Sequence, residues 1–176
     1  MLLTATLSLL LMQQAPSENV DWDAEFGVEE VERDPATGEI PVEPFEQNNE
    51  NAGAKPFTGN DMADTFAARD GIRQIAERFV EINFADPRIQ GIFAGHDEVR
   101  LRRTIFEQFC YILNAGCDYT GRDMKSSHEG LGSRKADLNA IVENLQQAMR
   151  EQDVPFAAQN RFLSKLAPMS RDVINR

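Results

Sequence analysis

Two histidines stand in the 176 residues, His96 and His128. His128 lies within Tyr119–Gly132, which reads YTGRDMKSSHEGLG. That stretch is polar, carries glycines and is poor in helix formers. Between helical segments, such a stretch reads as a functional loop rather than a spacer. A lone histidine is ordinarily a surface or satisfied residue. No HExxH pattern and no second cluster of metal ligands accompany it, and no Asp/His pair surrounds a Ser or Cys nucleophile, so a hydrolase has no support. Cys110 and Cys117 form neither CxxC nor CxxCH, which removes a zinc pair and a covalent haem attachment motif. Two free thiols are expected; a bridge would need the chain to turn sharply after Asn114. A single neutral imidazole facing apolar helices suits one kind of metal site. Haem iron can be held by one proximal histidine while aliphatic and aromatic side chains grip the macrocycle.

Such a ligand needs helices to position it, and the apolar spacing supplies them. Ile72, Ile75, Phe79 and Ile82 recur at three- and four-residue steps and make one helix face. Pro87, preceded by Asp86, stops that helix and starts a short one. Leu101, Ile105, Phe109 and Ile112 form a second stripe, on a helix beginning near Asp97 and broken by Asn114-Ala115-Gly116. Leu138, Ile141, Val142, Leu145, Ala148 and Met149 form a third, with Ser133 as the expected N-cap. Phe162, Leu163, Leu166 and Val173 form the last, with Pro155 near its start. No segment alternates as a strand does. The fold class is all-α.

The charge is uneven. Residues 16–57 carry twelve acids against Arg33 and Lys55, so the overall net charge of −11 belongs to that segment. Its Asp, Glu, Asn, Pro and Gly content predicts an acidic disordered linker. Residues 58–176 are nearly neutral, and no basic patch supports nucleic-acid binding. Residues 1–15 are uncharged, with an apolar run from Met1 to Met12. The run is too short to span a bilayer, so no stable membrane insertion is expected. Its length fits a signal peptide cleaved after Ala15, although no Lys or Arg precedes it and Gln13 stands where a small residue is preferred. Export to the periplasm is the expectation; a chain that keeps the segment would be cytoplasmic. The domains expected are 1–15, 16–57 and 58–176.

The spacing of Tyr119, Thr120, Gly121, Met124 and His128 resembles the truncated haemoglobins, especially group I. So do GIRQIAERFVEINFADPRIQGIFAG upstream and DVPFAAQNRFLSKLAPMSRDVI downstream. The resemblance runs from about Phe66 to Ile174. It implies a two-over-two helical sandwich around haem b. His128 is then the proximal iron ligand, and Phe93 packs against the haem face. Met124 touches the porphyrin edge, and Tyr119 reaches towards a propionate. Leu138, Ile141, Phe162 and Leu166 line the pocket from the last two helices. Each of these apolar residues also reads as plain core. Phe109 matches a position that gates a ligand tunnel in some members, and reads better as core.

The chain departs from the family on the distal side. Val80 follows Phe79 where the family usually has tyrosine, and Ile105 stands where it often has glutamine. Leu101, one turn earlier, is also apolar. The nearest polar alternatives are Gln108, on the same stripe, and His96. Alanine and asparagine replace the glycine pairs expected at Ala67-Ala68 and Asn114-Ala115, which questions the loop conformations there but not the fold. The resemblance implies reversible binding of a diatomic gas (oxygen, nitric oxide or carbon monoxide), with an electron-donating reductase as a partner. Two other roles belong to the family: nitric oxide dioxygenase or peroxidase-like enzyme, and gas sensor acting through a partner.

Overall fold

A computed structural model describes residues 31–174. The expected signal peptide and residues 16–30 of the expected linker lie outside the described residues. The unit that carries the fold is Arg33–Arg176. Among the described residues there is no strand, and no helix is long and apolar enough to cross a membrane. The helices are α1 (Asp61–Thr65), α2 (Ala68–Ala85), α3 (Gln90–Phe93), α4 (Glu98–Ile112), α5 (Met124–His128), α6 (Lys135–Glu151), α7 (Phe156–Leu166) and α8 (Ser170–Val173). Two 3-10 turns, Asn49–Ala52 and Ala167–Met169, complete the set.

Helix α2 is the hub and packs against both α4 and α6. It buries Ile72, Ile75, Ala76, Phe79 and Val80, the face that the three- and four-residue spacing marks out. The centre of the core is aromatic. Phe162 meets Phe66 at 5.4 Å and Phe109 at 5.1 Å, both edge to face, and Phe79 sits 5.9 Å from Phe109. Rings at these distances add about 0.5–1.5 kcal/mol per pair beyond the area they bury.

The corner after α2 is polar and buried. The Asn144 amide donates to Asn83 Oδ1 at 2.8 Å and to Asp86 Oδ2 at 3.0 Å, tying α6 to the end of α2. The Arg88 guanidinium beside Asp86 holds that carboxyl well below the usual carboxylate range. Beyond this corner, Phe93 leans on Phe84 with ring centres 5.6 Å apart.

Four local expectations change. Ser133 does not cap α6: its hydroxyl donates to the Val173 carbonyl at 2.6 Å, while the Arg134 amide donates to Asp137 at 2.8 Å. The last stripe is not one helix, because Pro168 lacks the amide hydrogen needed to continue it, and α7 gives way to a 3-10 turn and α8. Cys110 and Cys117 are bridged, with Cα atoms 5.6 Å apart. The sharp turn that this requires is made by Asn114, at φ 63°, and the Ala115 amide returns to the Cys110 carbonyl at 2.9 Å. Ala67 and Ala68 likewise take φ of 55° and 53°. The left-handed conformation survives at these positions without glycine.

The fourth change is the largest. Residues 33–57 are not a solvated linker but a strap laid on the domain, so packing begins well before residue 58. Arg103 on α4 is bonded to both Glu39 oxygens and to Glu107. The Ile40 amide donates to Asp97 at 2.8 Å, and Arg33 pairs with the same carboxylate at 2.8 Å. Farther along, the Phe57 amide donates to the Ile112 carbonyl at 2.8 Å. Glu39 of the strap finds two arginines on α4, Arg100 and Arg103, so little apolar area is needed to hold it.

Candidate ligand site around His128

His128 ends α5, a helix of five residues started by a strong cap. Asp123 accepts from the Ser126 amide at 3.0 Å and from the Ser126 hydroxyl at 2.7 Å. The decisive contact is at the other end of the helix. His128 Nδ1 lies 2.7 Å from the Met124 carbonyl oxygen. A carbonyl only accepts, so Nδ1 carries a proton, and in a neutral ring with that tautomer the lone pair belongs to Nε2. This is the arrangement that orients a metal-ligating imidazole and fixes its tautomer.

Tyr119 and Gly121 shape the approach to α5. The Tyr119 hydroxyl donates to the Arg122 carbonyl at 2.9 Å, and its side chain is buried. Its proton is therefore used within the loop rather than directed at a propionate. Burial, followed by the negative charge of Glu107, pushes its pKa up to about 12. The ring lies across Gly121, where a Cβ would come within 2.2 Å of the hydroxyl oxygen. That close approach explains the glycine of the Tyr-Thr-Gly run. Thr120 is fixed beside it, its amide and hydroxyl both donating to Glu107.

The remaining expected site residues fall into two groups. Phe162 is fully buried in the aromatic centre. Ile105, Met124, Ile141 and Leu166 are half-buried and pack on the edge of the core, whereas Phe93, Leu101 and Leu138 are half-buried beyond it. Apolar side chains are left half-buried on α3, α4, α5, α6 and α7. Together with one imidazole, this set suits a flat apolar macrocycle better than a bare ion. No cluster of three His, Cys, Asp or Glu side chains able to hold a metal occurs among the described residues.

The distal candidates sort clearly. Val80 is 1% exposed, Ile105 and Leu101 are half-buried, and none carries a donor. Gln108 is not available to serve as one. Its amide donates to the Ala52 carbonyl at 3.0 Å and lies 3.4 Å from the Met124 sulfur. His96 is exposed in the turn before α4.

Comparison with known proteins agrees with this geometry. The family model for bacterial-like globins matches residues 50–175. The chain belongs to the bacterial-like globin family. A group 1 truncated haemoglobin of Mycolicibacterium paratuberculosis is 26% identical over 110 residues, covering 62% of this chain and 81% of that protein. Its counterpart in Nostoc commune is 23% identical, covering 65% and 98%. Among solved structures, the Fe(III) truncated haemoglobin of Tetrahymena pyriformis aligns with a TM-score of 0.62 at 19% identity, covering 65% of this chain and 98% of its own. The cyanomet 2/2 haemoglobin of Synechococcus sp. PCC 7002, with covalently attached haem, aligns with a TM-score of 0.60 at 21% identity over the same shares. The expected truncated-haemoglobin fold holds for this globin. Glu39 and Gln108 fix the strap; Glu39 is not an expected site residue, and Gln108 is expected only as a polar alternative on the distal side. Their only signal was glutamate and glutamine placed where the chain otherwise looked like tail or apolar stripe.

Proposed function

We propose that this globin binds haem b through His128 Nε2 and reversibly takes a diatomic gas on the opposite side. The observation that carries the reading is the Nδ1 bond to Met124, which selects the tautomer in which a neutral ring ligates through Nε2. Haem would supply the iron that accepts the gas; the chain supplies the axial nitrogen, the half-buried apolar side chains and the distal environment. Phe93, Met124, Leu138, Ile141 and Leu166 would grip the macrocycle. Phe162 supports them from the core.

Val80, Leu101 and Ile105 make the distal side apolar. A ligand that gains negative charge on binding, such as oxygen, finds no donor there, whereas carbon monoxide, being less polar, depends less on one. Long oxygen retention is what dioxygenation requires, and peroxidase chemistry calls for a polar distal group. The apolar distal set therefore favours a binder over either enzyme. Export is part of the proposal, and the Cys110–Cys117 bridge supports an oxidising compartment. Absorption spectra of the purified protein, reduced and then exposed to oxygen, carbon monoxide and nitric oxide, test the function. Distinct Soret shifts with each gas are expected. A protein that takes up no hemin, or whose haem spectrum ignores all three gases, would contradict it.

A further inference from the structure

The 3-10 turn Asn49–Ala52 sits between two elements that matter to His128 and makes specific bonds to both. Towards the loop before α5, Asn49 accepts the Tyr119 amide at 2.7 Å and donates to Asp118 at 3.0 Å. Asn51 donates to the Gly121 carbonyl at 3.1 Å. Towards α4, the Ala52 carbonyl receives the buried Gln108 amide at 3.0 Å. Gln108 then lies 3.4 Å from the Met124 sulfur and 3.8 Å from that of Met169. Gly53, at φ 77°, leaves no spare room: a Cβ there would meet the Met169 sulfur at 2.9 Å and Met124 Cγ at 3.1 Å. Met124 thus packs against Gln108, Gly53 and Met169 on one side, and Met124 is the residue whose carbonyl holds His128 Nδ1.

We infer that Gln108 and the Asn49–Gly53 turn are positioning residues for the proximal ligand, acting through the Met124 backbone. The inference rests on His128 being that ligand. Turning or shifting the Met124 carbonyl changes the length and direction of the Nδ1 bond. That bond sets both the orientation of the imidazole and the electron density on Nε2. The strap is therefore part of the ligand's support. A donor is specifically required at position 108, because an apolar side chain there would leave the buried Ala52 carbonyl without its partner.

The test uses the full chain loaded with hemin, reduced and free of gas, read by the iron–histidine stretching band in resonance Raman and by the rate of haem loss. Gln108→Met removes the donor and keeps the bulk; Asn51→Ala removes the bonds to the Gly121 and Glu46 carbonyls and keeps the core intact. Val154→Ala, a core truncation between α6 and α7, is the control for general loosening. His128→Ala identifies the band. The inference predicts a shifted and broadened band in both positioning variants, with haem lost roughly tenfold faster, the lower end of the effect usual for groups that orient a metal ligand. The Val154→Ala band should stay in place. An unmoved band in both positioning variants overturns the inference, as does an equal shift in Val154→Ala. A band that persists in His128→Ala overturns the ligand assignment itself, and the inference with it. Because Asn51 is half-buried at the surface, its variant keeps the test open if Gln108→Met fails to fold.

Discussion

His128 Nδ1 and the Met124 carbonyl oxygen are 2.7 Å apart, within one helix of five residues. Helix α5 is too short to be stable alone, so its ligand geometry is borrowed from its surroundings. Asp123 caps it, Tyr119 and Gly121 set its entry, and α8 packs against it.

The distal side gives the sharpest kinetic expectation. Oxygen should leave quickly, since Val80, Leu101 and Ile105 offer no donor. Ile105→Gln restores an amide at a half-buried position. Val80→Tyr would do the same for a hydroxyl but must overpack a site only 1% exposed. A donor to a charged acceptor contributes about 1.5–3 kcal/mol. Stopped-flow measurement should therefore show oxygen release slowed roughly ten- to hundredfold in Ile105→Gln, with a smaller change for carbon monoxide. Slow release from the natural protein would contradict the apolar distal side.

Ala67 and Ala68 hold left-handed backbone that glycine adopts without strain. An alanine there costs about 1–2 kcal/mol, partly offset by the greater unfolded-state entropy of glycine, about 0.4–1 kcal/mol. Ala68→Gly should raise stability by up to about 1 kcal/mol, read from denaturant midpoints. Destabilisation would show that the conformation is not strained.

Much of this was legible before any coordinates. The four apolar stripes place α2, α4, α6 and α7, and the Tyr119 to His128 spacing marks the loop and short helix that carry His128. The strap was not legible, because it is held by ion pairs and single hydrogen bonds to partners more than 50 residues away. Its own composition reads as solvated tail. The disulfide was hidden for a related reason: it depends on a left-handed turn at Asn114, where the sequence offers no glycine. Pro168 breaks the last helix inside an apolar stripe that runs on past it, so the stripe alone reads as one helix.

The Cys110–Cys117 bridge closes a short loop at the end of α4. For a loop this short, the chain-entropy account gives roughly 2–3 kcal/mol. Cys110→Ser with Cys117→Ser, or the reduced native protein, should lose about that much in equilibrium denaturation. An unchanged midpoint after verified reduction would remove the bridge from the account of stability.

Tyr119 ties stability to alkaline pH. Its folded pKa is raised to about 12 from an ordinary 10, by burial first. The contribution is therefore complete below pH 10 and is lost as pH climbs from 10 to 12, because the unfolded chain releases the phenolic proton first. Two pH units correspond to roughly 3 kcal/mol at most. Tyr119→Phe should flatten this part of the stability profile. A profile equally steep in the variant would assign the loss to other groups.

The most direct measurement is the Soret band of full-length protein titrated with hemin, compared among native, His96→Ala and His128→Ala chains. Native and His96→Ala proteins should take up haem alike. His128→Ala should lose it or bind it far more weakly, and added imidazole should restore the band. Equal Soret bands in the two variants, with no response to imidazole, would contradict His128 as the iron ligand.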